Sequence, residues 1–320
     1  MKRNCMNRYK PTLRLTAAAM TALLLALPFG AEAGAYIAAT TSSGPNSYRS
    51  NEINGNADLF DTPLSVNAFD SKSSATTSQD ISQSGFGLDW KIVKLATLGI
   101  KHSKVDNGSV DITGNSLNLA LSLNSLWKSD LLTRFDLKTA NSAYKFSGLP
   151  ARVKNDTVNQ TTSSFGLTQD ITDWLGINGG RDQYSYDRDP RALAAYLMLK
   201  TPRKFINNSS ALLSFPDSTN RFGLTWRPVE VLTIDISSSK TKTLFDQELN
   251  TRLLGIDYQI TDHLNIYAAL SKSTTTTVAT KRDFNLVTAT GTTVTLVPAG
   301  TPLMSATDET YTEFSLGWTF

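Results

Sequence analysis

The sequence predicts an all-β protein, a transmembrane antiparallel up-and-down β-barrel of about 14 strands, with about 12 or 16 also admissible. Three observations carry that expectation. The chain opens with a basic and then apolar leader, most of the remaining chain alternates apolar with polar residues, and the connections between alternating segments are short on one side and often long on the other.

The leader spans residues 1–33. Lys2, Arg3, Arg8, Lys10 and Arg14 precede an apolar run from Leu15 to Leu27, Pro28 and Gly30 break it, and Ala31-Glu32-Ala33 supplies the small-x-small pattern of a cleavage site. That order of features predicts an export signal removed after Ala33. An uncleaved anchor is the alternative, but the apolar run is shorter than the ~20 residues a spanning helix needs.

Removal of the leader changes the charge balance. Five of the 31 Lys and Arg and one of the 28 Asp and Glu lie in it, so the mature chain holds 26 against 27, a balance of −1. A near-neutral chain with scattered charges has no electrostatic footprint for nucleic acid. The single cysteine, Cys5, is also in the leader, so disulfide and thiol chemistry are not expected after cleavage. No later apolar run is long enough for a transmembrane helix, so a membrane-embedded form must cross as strands.

Residues 34–62 are rich in Ser, Asn, Gly and Thr with weak alternation, which predicts a polar N-terminal tail or a plug. The barrel is expected over 63–320. Its repeat unit is a hairpin whose first strand reads Phe86-Gly87-Leu88-Asp89-Trp90, Phe165-Gly166-Leu167-Thr168, Phe222-Gly223-Leu224-Thr225-Trp226 or Leu254-Gly255-Ile256-Asp257-Tyr258. Partner strands come next at Leu95 to Lys104, Leu175 to Tyr186, Val231 to Thr241 and His263 to Ser273, and two further hairpins are expected over Ser116 to Ala140 and Arg191 to Phe215. An opening strand near Leu64 to Ala75 and a closing one near Tyr311 to Phe320 complete the count. Long polar connections are expected over 141–162 and 275–308, with a shorter one over 105–115.

Alternation assigns the faces. Phe86, Leu88, Trp90, Leu119, Leu121, Leu123, Leu224, Trp226, Ile234, Ile236, Ile256, Leu264, Ile266 and Leu316 point outward, with Trp90, Trp127, Trp174, Trp226, Tyr258 and Trp318 near strand ends as an aromatic girdle. A soluble β-sandwich also alternates. It would leave the leader, the terminal aromatic and the loop asymmetry as coincidences.

In the last strand Phe314, Leu316, Trp318 and Phe320 alternate with Glu313, Ser315, Gly317 and Thr319. A terminal aromatic preceded by alternate apolar positions resembles the signal that bacterial outer-membrane barrels present to their assembly machinery. With the leader and the hairpins, the chain resembles the porin-like superfamily as a class. That resemblance implies a Gram-negative outer-membrane location, contact with outer-membrane lipids and lipopolysaccharide, and passive transport of small polar solutes.

The opposite parity points Asp89, Lys101, Arg134, Asp136, Lys138, Arg221, Asp235, Asp257 and Glu313 into the lumen among Ser, Thr, Asn and Gly. A polar interior fits a water-filled channel, and mixed signs imply little selectivity. Cross-strand pairing of the same charges would instead fill the interior. A structural or interaction barrel, acting as scaffold for a surface or export complex through its long loops, is the reading from another class. Arg181, Asp182, Asp187, Arg188, Asp189 and Arg191 read as a charged outer turn, either solvated or in contact with lipopolysaccharide and divalent ions.

Catalytic and metal-binding patterns are weak. The mature chain has two histidines, His102 and His263. His102, Ser103, Asp106 and Asn107 loosely resemble the components of outer-membrane phospholipases, but those enzymes place the serine two residues from the histidine, where this chain has Lys104. Adjacent strand residues face opposite ways, so His102 and Ser103 cannot readily share a proton. No enzyme activity, cofactor or metal site is expected, since no histidine or acidic run has ligand spacing.

Overall fold

The computed structural model describes residues 34–320 apart from 60–61, 77, 109, 125–129, 148–156, 192, 194–214, 277, 280, 282, 288–290 and 305. The expected leader and Trp127 lie outside the described residues.

In chain order the strands are β1 (Ala35–Gly44), β2 (Tyr48–Asp58), β3 (Leu64–Ala75), β4 (Ser78–Val93), β5 (Ala96–Asp106), β6 (Val110–Ser122) and β7 (Thr133–Phe146). Next come β8 (Thr157–Thr172), β9 (Leu175–Tyr186), β10 (Pro216–Val229), β11 (Leu232–Thr243), β12 (Glu248–Gln259) and β13 (Leu264–Thr275). Four short strands lie in the following connection: β14 (Val278–Ala279), β15 (Phe284–Val287), β16 (Thr293–Val297) and β17 (Pro302–Met304), before β18 (Thr307–Thr319) ends the series. Strands β1 to β13 with β18 make a closed barrel of 14, while β14–β17 and β15–β16 form two separate two-stranded sheets.

Each wall strand pairs antiparallel with its neighbour in sequence, and β18 joins β13 to β1. The seam runs from Tyr36 opposite Thr319 to Ser43 opposite Thr312, and the Phe320 amide donates to the Ala35 carbonyl at 2.8 Å. Closure removes the sheet edge, whose unpaired backbone groups would cost several kcal/mol each in hydrocarbon.

Two features of the wall depart from the sequence reading. Residues 35–58 are neither tail nor plug. They form β1 and β2, so the barrel begins at Ala35 rather than near residue 63. Their alternation is faint because the outward positions are small or polar (Ala39, Thr41, Asn51) with Ile37 and Ile53 as exceptions, yet β1 and β2 have partners on both sides. Asn46 and Ser47, at φ 57° and 56°, make the turn between them, closed by the Tyr48 amide on the Pro45 carbonyl at 3.0 Å. Positive φ at both central residues matches the right-handed twist of the flanking strands. β9 pairs directly with β10, so the wall has no strand between them, and most of the hairpin expected over 191–215 lies outside the described residues. One strand pair replaces the other, which is why the count still comes to 14.

The strands also run further than their apolar alternation. β4 and β8 have 16 residues each, against the roughly 9–11 that cross a bilayer. β5 continues to Asp106 and β7 to Phe146, so part of the predicted loops at 105–115 and 141–162 is strand. At the rim holding Ala35 and Phe320 the connections include 94–95, 173–174 and 230–231. The opposite rim carries 147–156, 187–215 and 276–306, together with short turns such as 76–77 and 107–109.

The outer surface is a belt of exposed apolar side chains. Phe86 is 63% exposed, Phe222 59% and Ile236 53%, values that a water-soluble fold would not tolerate in so continuous a band. Trp90, Trp174, Trp226, Tyr258 and Trp318 stand near the short-turn rim, where an aromatic girdle meets the lipid interface. Among the described residues no apolar core fills the wall. Buried apolar residues such as Val110, Phe146, Val158 and Phe215 gather toward the long-loop rim.

Candidate functional site: the concave face of the barrel

Cross-strand register decides which side chains share the interior. Lys101 stands opposite Gly87 and Ser116, Asn118 opposite Lys138, Lys138 opposite Ser164, Ser164 opposite Asp182, and Gly180 opposite Arg221. Residues from this face line a polar recess of about 520 Å³ that touches every strand from β3 to β10, Phe69, Gln83, Asn118 and Tyr184 among them. A recess reached from eight consecutive strands of a closed wall lies on its concave side.

Glycines let the larger inward side chains lie along the wall. A Cβ at Gly180 would stand 2.7 Å from the Phe165 carbonyl oxygen and 3.4 Å from Nη2 of Arg221. A Cβ at Gly223 would meet the Asn178 amide at under 3 Å. Bulk at Gly223 would displace the Asn178 side chain from the wall, and at Gly180 it would meet the β8 backbone.

Of the residues assigned inward from the sequence, Lys101, Asp136, Lys138 and Arg221 line the recess. Arg134 lies two residues along β7 and donates to Oδ1 of Asp136 at 3.0 and 2.7 Å. Asp89 accepts from Asn67 at 3.0 Å, Asp235 from Thr225 at 2.7 Å, Asp257 from Asn265 at 3.2 Å and Glu313 from Ser42 at 3.5 Å. Together they line the circumference and do not converge on one catalytic point. Lys101 rests its ammonium 4.4 Å from the Phe69 ring centroid.

Several inward residues escaped the sequence reading. Asp182, assigned there to an outer turn, is buried on the concave face and accepts both terminal nitrogens of Arg221 at 2.7 and 2.8 Å. Its parity with Gly176, Asn178 and Gly180 in the same strand was the available signal. Arg227 reaches Asp170 at 3.3 Å near the short-turn rim. Glu52 lies on β2, opposite Thr40 and Ser71, in the segment read as a tail.

Near the long-loop rim an aromatic cluster leans on the concave face. Phe215, fully buried at φ 43°, packs against Tyr144, Tyr186 and Phe146 with ring centroids 5.2, 5.7 and 6.0 Å away. Gln160 ties the two tyrosines, accepting from the Tyr144 hydroxyl at 3.3 Å and donating to that of Tyr186 at 2.7 Å. The Tyr186 hydroxyl donates in turn to the Pro216 carbonyl at 2.7 Å, so the chain returning to β10 is fastened inside the mouth. Beyond the end of β9, Asp189 binds the Arg191 guanidinium at 2.6 to 3.0 Å, and those hydrogen bonds raise the Arg191 pKa.

His102 and Ser103 diverge. His102 contacts the outward Phe86 at 5.4 Å and Asn115 at 2.9 Å, whereas Ser103 lines the recess. Among the described residues no three His, Cys, Asp or Glu side chains are grouped to hold a metal ion.

A closed antiparallel wall with an apolar exterior and a polar interior defines a transmembrane β-barrel. No family model and no curated protein sequence matches the chain. Among solved structures it is similar to the CymD monoaromatic hydrocarbon channel, at 9% identity and a TM-score of 0.47, over 90% of this chain and 88% of that one. It is also similar to an anion-selective porin from Comamonas acidovorans, at 8% identity and a TM-score of 0.43 over 90% and 98% of the two chains. The KdgM porin is similar at 7% identity and a TM-score of 0.41, over 89% and 99%. At these values the likenesses carry no argument, and the class rests on the wall itself.

Proposed function

We propose that the protein is a passive, water-filled channel for small polar solutes in the bacterial outer membrane. The observation that carries this reading is the concave face, polar around the wall, with a recess of about 520 Å³ between side chains that lie along the wall. A barrel of 14 strands is wider than the eight-stranded kind whose side chains fill the interior. In this reading the leader is removed after Ala33, and the assembly machinery recognises the final strand through Phe314, Leu316, Trp318 and Phe320. Lipopolysaccharide meets the long-loop rim.

Single-channel recording tests the proposal. Purified, folded protein added to a planar bilayer is expected to raise conductance in discrete steps. A folded preparation that inserts and never conducts overturns it.

The two small sheets between β13 and β18 favour a second reading, in which this projection docks a surface or export partner. Deletion of 278–304 separates the two: lost partner binding with unchanged conductance supports docking, and unchanged binding removes it.

A further inference from the structure

Charge on the concave face is segregated by arc. On the arc from β4 to β10 the three inward arginines are paired within the arc: Arg134 with Asp136 at 2.7 Å, Arg221 with Asp182 at 2.7 Å and Arg227 with Asp170 at 3.3 Å. Lys101, held over Phe69, and Lys138 remain there, and Lys101 is in electrostatic range of both Asp89 and Glu52. Lys91 also faces inward, near the short-turn rim of this arc.

The other arc runs through β11, β12, β13, β18, β1, β2 and β3. Register places Asp235, Asp257, Glu313 and Glu52 on its inward face. The Lys and Arg of these strands, namely Arg49, Lys72, Lys240, Lys242, Arg252 and Lys272, occupy outward positions, so among the described residues no cation on the same arc neutralises the carboxylates. The hydrogen bonds to these carboxylates come from the neutral side chains of Thr225, Asn265, Ser42 and Asn54, which leave their charge in place. The acids follow one another around the arc: Asp257 stands opposite Thr233, two residues from Asp235, and opposite Tyr267, which in turn stands opposite Ser315, two residues from Glu313.

We propose that the pore is cation-selective, with Glu52, Asp235, Asp257 and Glu313 as the selectivity-determining residues. The proposal rests on the channel reading and replaces the weak selectivity that mixed signs imply. A lumen with low-dielectric walls focuses the field of unneutralised charge, so these carboxylates concentrate cations and repel anions, as acidic rings do in cation channels. Lys101 offsets part of the Glu52 charge, which centres the acidic excess on Asp235, Asp257 and Glu313. At physiological salt, charges more than about 8 Å apart across water are largely screened from one another, so Lys138 on the facing arc does not cancel it. The favoured solutes are small inorganic cations and polar organic molecules with net positive charge.

The test is the reversal potential of single channels under a potassium chloride gradient. The wild type is expected to show a cation-sign potential. The fourfold variant Glu52→Gln, Asp235→Asn, Asp257→Asn, Glu313→Gln is expected to keep conducting, with its cation-to-anion permeability ratio reduced at least about two-fold. Single Glu313→Gln and Asp235→Asn variants carry the test if the fourfold variant does not fold, each lowering the ratio. Lys101→Gln with Lys138→Gln should raise it. A conducting wild type with zero or anion-sign potential overturns cation selectivity and leaves the channel standing. Unchanged selectivity in the carboxylate variants overturns the assignment to these residues. A folded protein that never conducts removes both the channel and its selectivity.

Discussion

Arg221 on β10 grips Asp182 on β9 with both terminal guanidinium nitrogens, at 2.7 and 2.8 Å, and Gly180 leaves the space that lets the arginine lie along the wall. The carboxylate is almost wholly buried and the guanidinium about half exposed. The pair therefore both fastens two strands and neutralises a cation at the recess.

Asp182→Asn should thus have two effects. Loss of the charge-assisted fork costs about 1 to 3 kcal/mol, with solvent at the arginine holding it toward the lower end. The released Arg221 charge lowers the cation preference. Urea unfolding in liposomes measures the first and the reversal potential the second. Combining it with Arg221→Gln should recover part of the lost selectivity, which a purely structural role would not produce.

The assignment of faces predicts a sharp contrast between adjacent positions. Ile236 points to lipid and Ser237 to the lumen. Ile236→Arg should destabilise the inserted barrel by about 2 to 4 kcal/mol if it lies at the bilayer midplane, and less toward an interface. Ser237→Arg should insert normally and alter conductance only. Equal penalties in an unfolding titration from liposomes would contradict the two-solvent wall.

The same contrast decides how much of the fold and of the concave face was legible in the sequence. β4, β10, β11, β12 and β18 were readable because Phe86, Leu224, Ile234, Ile256 and Leu316 face hydrocarbon and must be apolar. β1 and β2 have Ala39, Thr41 and Asn51 at such positions, and a strand with two small or polar faces resembles loop. The upper ends of β5 and β7 were shortened for the same reason, since strand that rises past the lipid needs no apolar face. Asp182 shows a different failure: its charged neighbours Arg181, Asp187 and Arg188 read as a turn, although parity alone places it inside. The segregation of inward charge into two arcs required the order of strands around the barrel, which no local pattern contains.

Phe215 should act as the fastener of the outer mouth. Phe215→Ala removes its ring from the contacts with Tyr144, Tyr186 and Phe146, and truncations of this kind cost about 3 to 5 kcal/mol where the site does not collapse. The expected readouts are faster proteolysis within 187–215 and noisier open-channel current, with the wall intact by its gel mobility. An unaltered cleavage rate would show that the cluster does not hold this connection.

The last residue should matter for assembly more than for the finished barrel. The Phe320 backbone reaches Ala35 across the seam, and its ring lies 6.4 Å from that of Trp318. Deletion of Phe320 is expected to lower the amount of folded protein in outer-membrane fractions several-fold while the remaining channels keep wild-type conductance. Normal membrane levels would detach the terminal aromatic from assembly.

The most direct test of a water-filled lumen uses introduced thiols, because the sequence holds a single cysteine, Cys5, ahead of the barrel strands. Ser103 and Ser116 line the recess, while Ile100 and Leu117 face out. With a charged, water-soluble thiol reagent added during single-channel recording, Ser103→Cys and Ser116→Cys should lose conductance in discrete steps, and Ile100→Cys and Leu117→Cys should show no change. Conductance that is blocked at the outward positions, or untouched at the inward ones, would contradict a polar pore enclosed by a lipid-facing wall.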